Sequence, residues 1–331
     1  MPYLLVLLSF LLSCSAPPQN LTHARGTVQS GEQEPGKVEP TAPTSDPQVP
    51  ETNSSPALPA PHTTPVPSAP QMTPSAPETL PMPGDKNAAV PTAGCGKMPN
   101  QNLAQYVRTN VTGMERVYDL YLPKAYDSKK PYRLVVLGHG CGGGVPFKME
   151  SVSKDEAIIV GLKSTGNCFI YDMKVEGPYF DQVIKDVSQN LCVDSKRIFM
   201  GGFSSGSWLS NLLGCARADV IRAQGNAAGG LPGLPTCNGP IAAMMVHDMN
   251  DQENKIEGGI KARDRILKMN SCSQETEPYA YDGNAANASK CVKYKGCKEG
   301  YPVVWCQTTG KGHSSNEPLT NVGLWKFWSE L

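Results

Sequence analysis

The chain has 331 residues, with 30 Lys and Arg against 30 Asp and Glu and so no formal net charge. That length holds one large domain or two small ones, and the charge balance excludes the basic surplus that a nucleic-acid footprint needs. Eleven cysteines are ordinary for an exported protein and many for a cytosolic one.

Residues 1–16, "MPYLLVLLSFLLSCSA", carry an apolar run from Leu4 to Leu12. It is too short to span a bilayer and suits the core of a signal peptide, although no Lys or Arg precedes it. Two outcomes fit the residues. Cleavage after Ala16 releases the protein, whereas lipidation of Cys14 in the lipobox-like "LLSC" tethers it to a membrane. Residues 17–92 hold 18 of the 30 prolines, too little apolar surface to offset ordering entropy, and read as a disordered, extended Pro-rich linker. From residue 93 the texture changes. All four tryptophans and ten of the eleven cysteines follow, and 93–331 is long enough for one sizeable core.

Within 93–331, "RLVVLGHG" (133–140) and "EAIIVGLK" (156–163) read as buried strands. "YFDQVIKDVSQNLC" sets Phe180, Val183, Ile184, Val187 and Leu191 on one helical face. "RIFMGG" (197–202) is a strand, "SGSWLSNLLGCARA" a helix and "IAAMMVHD" (241–248) a strand. "IKARDRILKMN" is helical, "PVVWCQTT" (302–309) extended and "GLWKFWSEL" a closing helix. This alternation predicts an α/β domain with a mostly parallel central sheet and helices on both faces.

Between the predicted strand and helix lies Gly202-Phe203-Ser204-Ser205-Gly206, a G-x-S-x-G pentapeptide. Such a strand–turn–helix raises one serine above a sheet edge. Ser204 is the candidate nucleophile, and the Ser205 N–H at the helix start a candidate oxyanion donor. A serine at neutral pH needs a base. Of His139, His247 and His313, only His313 follows good acids in the order Ser, acid, His. Among the acids of "HDMNDQEN", Asp251 best fits a loop after the strand, with Asp248 the alternative and Glu253 also present. The second oxyanion donor is expected in "GHGCGGG" (138–144), at the Cys141 N–H with Gly142 next.

These residues lie in a chain that resembles secreted feruloyl esterases and the related polyhydroxybutyrate-depolymerase-like esterases. The resemblance covers nearly all of 93–331 and rests on "AGCGK" (93–97), "CVDSKRIFMGGFSSG" (192–206), "GCARADVIRAQ" (214–224), "CNGP" (237–240), "VHDMND" (246–251), "GCKEGYPVVW" (296–305) and "LWKFWSEL" (324–331). It implies an α/β-hydrolase fold, Ser204 as nucleophile, Asp251 as acid at the end of the family's H-G-x-x-D, and His313 as base. The implied substrates are feruloyl or acetyl esters of plant xylan. The chain departs from the family at Ser207 and Asp248, where Gly is usual, and around His313, where His-Thr-Pro is usual. These departures bear on the acyl pocket, so acetylxylan esterase and polyhydroxybutyrate depolymerase stand as alternatives, and a polysaccharide-binding protein without chemistry as the rival class.

Without Cys14 there remain Cys95, Cys141, Cys168, Cys192, Cys215, Cys237, Cys272, Cys291, Cys297 and Cys306, an even set that predicts up to five disulfides of undetermined connectivity. No C-x-x-C pair supports zinc. The expected protein is an exported, monomeric serine ester hydrolase without cofactor or metal, acting on an ester-decorated polysaccharide or polyester.

Overall fold

A computed structural model describes residues 88–99, 106–144, 147–233 and 237–331. The predicted signal peptide, with Cys14, and the predicted linker up to residue 87 lie outside these residues.

In chain order the strands and helices are β1 (Tyr106–Val111), β2 (Met114–Tyr121), β3 (Tyr132–Gly138), α1 (Met149–Ser153), β4 (Ala157–Leu162), α2 (Met173–Asn190), β5 (Val193–Phe203), α3 (Ser205–Ala216), β6 (Ala223–Ala227), β7 (Ala242–Asp248), α4 (Ile256–Met269), β8 (Thr276–Pro278), β9 (Cys291–Tyr294), β10 (Val303–Thr308) and α5 (Leu319–Ser329). They form one sheet in the order β1-β2-β4-β3-β5-β6-β7-β10-β9-β8. The run from β4 to β10 is parallel, and antiparallel pairs close both edges.

The apolar runs become strands because helices cover both faces of the sheet. Alternate residues of one strand point to opposite faces, so Leu134 and Val136 join the core under α2, α3 and α4, while Val135 and Leu137 join the core under α1 and α5. On the first side α2 inserts Phe180, Val183 and Val187 as its period predicts. On the second, Trp328 of α5 is fully buried and stacks on Phe199 of β5 with ring centroids 5.4 Å apart.

Several elements were not legible as runs. The strand β6, "AQGNA", is wholly buried yet has no apolar run. Its Gln224 and Asn226 amides donate to Asn211 Oδ1 of α3 at 2.9 and 2.7 Å, which offsets the cost of burying them. The β1–β2 hairpin turns at Thr112-Gly113, with φ of 48° and 86°, as a two-residue primed turn requires. Helix α2 begins at Met173, before Pro178, with the Asp172 carboxylate accepting from the Lys174 N–H at 2.8 Å as its cap.

All ten cysteines expected to pair do so: Cys95–Cys192, Cys141–Cys168, Cys215–Cys237, Cys272–Cys297 and Cys291–Cys306. The last residues of the predicted linker lie against the domain rather than apart from it. Thr92 N–H donates to the Val193 carbonyl and Val90 N–H to Asp194 Oδ1, each at 2.9 Å.

Candidate active site

Ser204 sits between β5 and α3 at φ 51°, ψ −117°, a region that costs a non-glycine residue about 1–3 kcal/mol. Its N–H donates to the Ala227 carbonyl of β6 at 3.0 Å, and its carbonyl accepts from Ser207 and Trp208 N–H. The two motif glycines permit this turn. A Cβ on Gly202 would lie 2.2 Å from the Gly206 carbonyl, and one on Gly206 would lie 1.9 Å from the Gly138 oxygen.

His313 lies on the loop between β10 and α5. Its Nε2 is 2.9 Å from Ser204 Oγ, and its Nδ1 is 2.9 and 3.1 Å from the two Asp251 oxygens. Phe203 packs beside the imidazole with centroids 5.0 Å apart. Asp251, 2 % exposed, is fixed through Oδ1 by the N–H groups of Glu253 and Asn254 at 3.0 and 2.9 Å. An ionised carboxylate only accepts hydrogen bonds. The ring hydrogen therefore belongs on Nδ1, leaving Nε2 to accept from the Ser204 hydroxyl. The exposed Glu253 carboxylate lies 3.6 Å from the same Nε2.

Asp248, the alternative acid, faces elsewhere. Its buried carboxylate accepts from Thr308 Oγ1 at 2.7 Å, from Lys311 and Gly312 N–H at 3.0 Å each and from Asn250 N–H at 2.9 Å. It closes the loop that carries His313. Burial opposes its ionisation, but these four hydrogen bonds outweigh burial and hold the carboxyl below its usual range. A depressed folded-state value stabilises the protein above the unfolded value near pH 4 and loses that stabilisation as pH falls through the folded value. Asp248→Asn is accordingly expected to lower stability by about 2 kcal/mol at pH 7. In urea melts the gap to wild type should narrow towards pH 3, and a gap that is constant with pH would contradict this role.

The other two candidate histidines are held away from Ser204. His139 Nε2 accepts from Ser164 N–H at 3.2 Å, so its Nδ1 carries the hydrogen and donates to the Gly140 carbonyl at 2.6 Å. His247 is buried with Nε2 2.7 Å from the Asn254 carbonyl.

Ser205 is the first residue of α3, so its N–H lies outside the helical ladder. Its Oγ accepts from Phe169 N–H at 2.9 Å and Tyr171 O–H at 3.0 Å. Cys141 follows Gly140, where a Cβ would lie 3.4 Å from Ser204 Cβ, so this loop passes directly beside the serine. The Cys141–Cys168 bridge and the Gly142 N–H to Asn167 carbonyl bond at 2.8 Å strap it to the loop after β4. Sequence reading missed that second loop, because "CFIYD" (168–172) has neither a period nor a motif. It supplies Tyr171, stacked on Trp208 at 5.6 Å, and the exposed Ile170 beside it. Trp208 Nε1 donates to Asn254 Oδ1 at 3.3 Å, tying this aromatic wall to the acid loop. Met249 is exposed on that loop.

No protein-family model matches the chain. It is 30 % identical over 268 residues to feruloyl esterase D of Neurospora crassa, an alignment covering 74 % of this chain and 92 % of the relative. It is 29 % identical over 260 residues to a protein named probable feruloyl esterase C of Aspergillus terreus, covering 73 % and 93 %. Among solved structures, the acetyl xylan esterase of Aspergillus awamori aligns with a TM-score of 0.52 at 12 % identity, over 68 % of this chain and 99 % of that one. This last likeness bears on fold alone.

Proposed function

The chain belongs to the feruloyl esterases, carboxylic ester hydrolases of α/β-hydrolase fold, and on that footing we propose that it is exported and cleaves feruloyl esters on plant xylan through Ser204, His313 and Asp251. The observation that carries the reading is His313, with one ring nitrogen 2.9 Å from the Ser204 hydroxyl and the other 2.9 Å from the Asp251 carboxylate.

In the proposed reaction Ser204 Oγ attacks the ester carbonyl as its proton moves to His313 Nε2. The N–H groups of Cys141 and Ser205 receive the developing oxyanion. Collapse of the tetrahedral intermediate breaks the acyl–oxygen bond, and His313 returns the proton to the departing sugar hydroxyl. Water then enters. His313 takes its proton, the hydroxide adds to the acyl carbon, and Ser204 leaves with the proton back on its oxygen. The aromatic wall of Tyr171 and Trp208, with Ile170 at its edge, suits a flat aryl acyl group better than an acetyl group.

The five disulfides agree with an oxidising compartment. No helix among the described residues is long and apolar enough to cross a membrane.

The test is kcat/KM on methyl ferulate, acetylated xylan and a hydroxybutyrate oligomer. The aryl ester is expected to lead by tenfold or more, roughly what a filled apolar pocket contributes to discrimination. A lead for acetylated xylan or for the oligomer would reassign the acyl group, and turnover of none of them would favour a polysaccharide-binding protein.

A further inference from the structure

We propose that Ser205 acts through its side chain as a positioning residue for the acyl group, holding the aromatic wall of Tyr171 and Trp208 in register with the turn that carries Ser204. The inference rests on the aryl-ester reading of the active site and names the residue that enforces it.

The Tyr171 side of the wall stands on the segment 163–172, between the end of β4 and the start of α2. At its start, Lys163 N–H donates to Tyr179 Oη and Ser164 N–H to His139 Nε2, each at 3.2 Å. Its later residues lie outside any helix or strand, so their main-chain donors need other acceptors. Two buried side chains supply them. Glu176 of α2, 1 % exposed and paired with Arg116 at 3.0 Å, accepts from Ile170 N–H at 3.2 Å. Ser205, also 1 % exposed, accepts from Phe169 N–H at 2.9 Å and from the Tyr171 hydroxyl at 3.0 Å. Glu176 belongs to the helix that follows the segment. Ser205 is the neighbour of Ser204, and of the two anchors it is the one that refers the segment to the reacting atoms.

A serine oxygen accepts through two lone pairs, and here one segment takes both. The Tyr171 ring is fixed twice, at its hydroxyl by Ser205 and at its face by Trp208. Tyr171 is 37 % exposed, so without the hydroxyl anchor the stack on Trp208 is left to oppose its rotation towards solvent. The Phe169 N–H, on a buried residue, would lose its acceptor, and the segment would have to shift to find another.

Ser205 also offers its N–H to the proposed oxyanion. One residue thus faces the carbonyl oxygen with its main chain and fixes the wall with its side chain. The Cys141–Cys168 bridge ties the second proposed oxyanion donor to the same segment. In the proposed reaction the leaving oxygen lies at His313 Nε2, which returns it a proton. The segment therefore borders the acyl half of the ester rather than the sugar. An aryl acyl group has a face to lay on the wall, and an acetyl group has none.

The test compares methyl ferulate with methyl acetate, which share a leaving group and differ in the acyl group. Ser205→Ala keeps the main-chain N–H and removes the anchor. The ratio of kcat/KM, methyl ferulate over methyl acetate, should fall about tenfold, the scale of one hydrogen bond's net contribution. The loss should appear in KM for methyl ferulate, because the wall holds the ring in the ground state as in the transition state. Tyr171→Phe keeps the ring, loses only the hydroxyl and should lower the ratio severalfold. Added to Ser205→Ala it should lower the ratio no further, because both remove one interaction. Hydrogen exchange in a peptide covering 168–172 should quicken in the Ser205→Ala protein. A purely structural role would lower turnover of both esters alike, so an unchanged ratio in folded Ser205→Ala protein overturns the proposal, as do additive effects of the two substitutions. Should Ser205→Ala fail to fold, Tyr171→Phe decides alone, and an unchanged ratio there overturns the proposal. A wild-type enzyme that prefers methyl acetate overturns the aryl reading and this proposal with it. An unchanged ratio beside a wild-type preference for methyl ferulate overturns this proposal only.

Discussion

Ser204→Ala should lower kcat/KM on methyl ferulate by about 10⁴-fold or more, the scale seen when a serine hydrolase loses its nucleophile. The physical reason is local. Ser204 Oγ is the atom 2.9 Å from His313 Nε2, and the nearby serines, Ser205 of the motif and Ser207 just after it, are buried and face other groups. Ser205 Oγ is occupied by Phe169 and Tyr171. Ser207 Oγ lies where a side chain on Gly229 would have to go. Neither can substitute as nucleophile without rebuilding the turn. The melting temperature should move little, since Ala keeps the Cβ and the same backbone strain while losing one partly buried hydroxyl. The two measurements together are the check: a variant that keeps more than a tenth of wild-type turnover places the nucleophile elsewhere. Ser204→Ala combined with His313→Ala should be hardly slower than either alone, because groups acting as one unit do not contribute additively.

Asp251→Asn should cost about as much, near 10⁴-fold in kcat at neutral pH, through the tautomer of His313. Asp251 Oδ1 accepts two backbone N–H groups, from Glu253 and Asn254. An asparagine at this position must turn its carbonyl oxygen to those donors and its NH₂ to the imidazole. That NH₂ can only donate, so His313 Nδ1 becomes an acceptor and the ring hydrogen moves to Nε2. There it faces the Ser204 oxygen and cannot receive its proton. The geometry hardly changes while the proton sits on the wrong nitrogen. Two readouts distinguish this from general damage. Stability should fall far less than activity, and the imidazole N–H signal in proton NMR should show the altered tautomer. An Asp251→Asn protein with near-normal kcat would show that the tautomer of His313 does not depend on Asp251.

What the sequence made legible follows from which signals are local. The strands β3, β4, β5, β7 and β10 are short apolar runs, and burial on both faces demands such runs. The residues Ser204, Asp251 and His313 could be named from motif, chain order and loop position, and His313 lies within hydrogen-bond distance of each of the other two. Where the reading ran out, the deciding partner was distant. Strand β6 is set by Asn211 of α3 rather than by its own composition. Asp248 has its role because the backbone of a loop more than sixty residues later needs an acceptor, and no spacing rule carries that. Thr92 joins the domain through its N–H to the Val193 carbonyl and through its hydroxyl to the Val193 N–H and the Leu191 carbonyl, partners about a hundred positions away that no local pattern shows. The pairing of Cys192 with Cys95, and of Cys215 with Cys237, depends on which loops meet in space.

The proposed nucleophile and its proposed base are 109 positions apart, and the strand that delivers that base, β10, is inserted between β7 and β9. A molecule stalled half-way through refolding, with β3 to β7 assembled, already owns its serine and is still inert. Contacts between such remote segments form late, so turnover counts only finished molecules. In a dilution experiment the circular-dichroism signal should therefore run ahead of recovered esterase activity, and the interval between them times the docking of the last quarter of the chain.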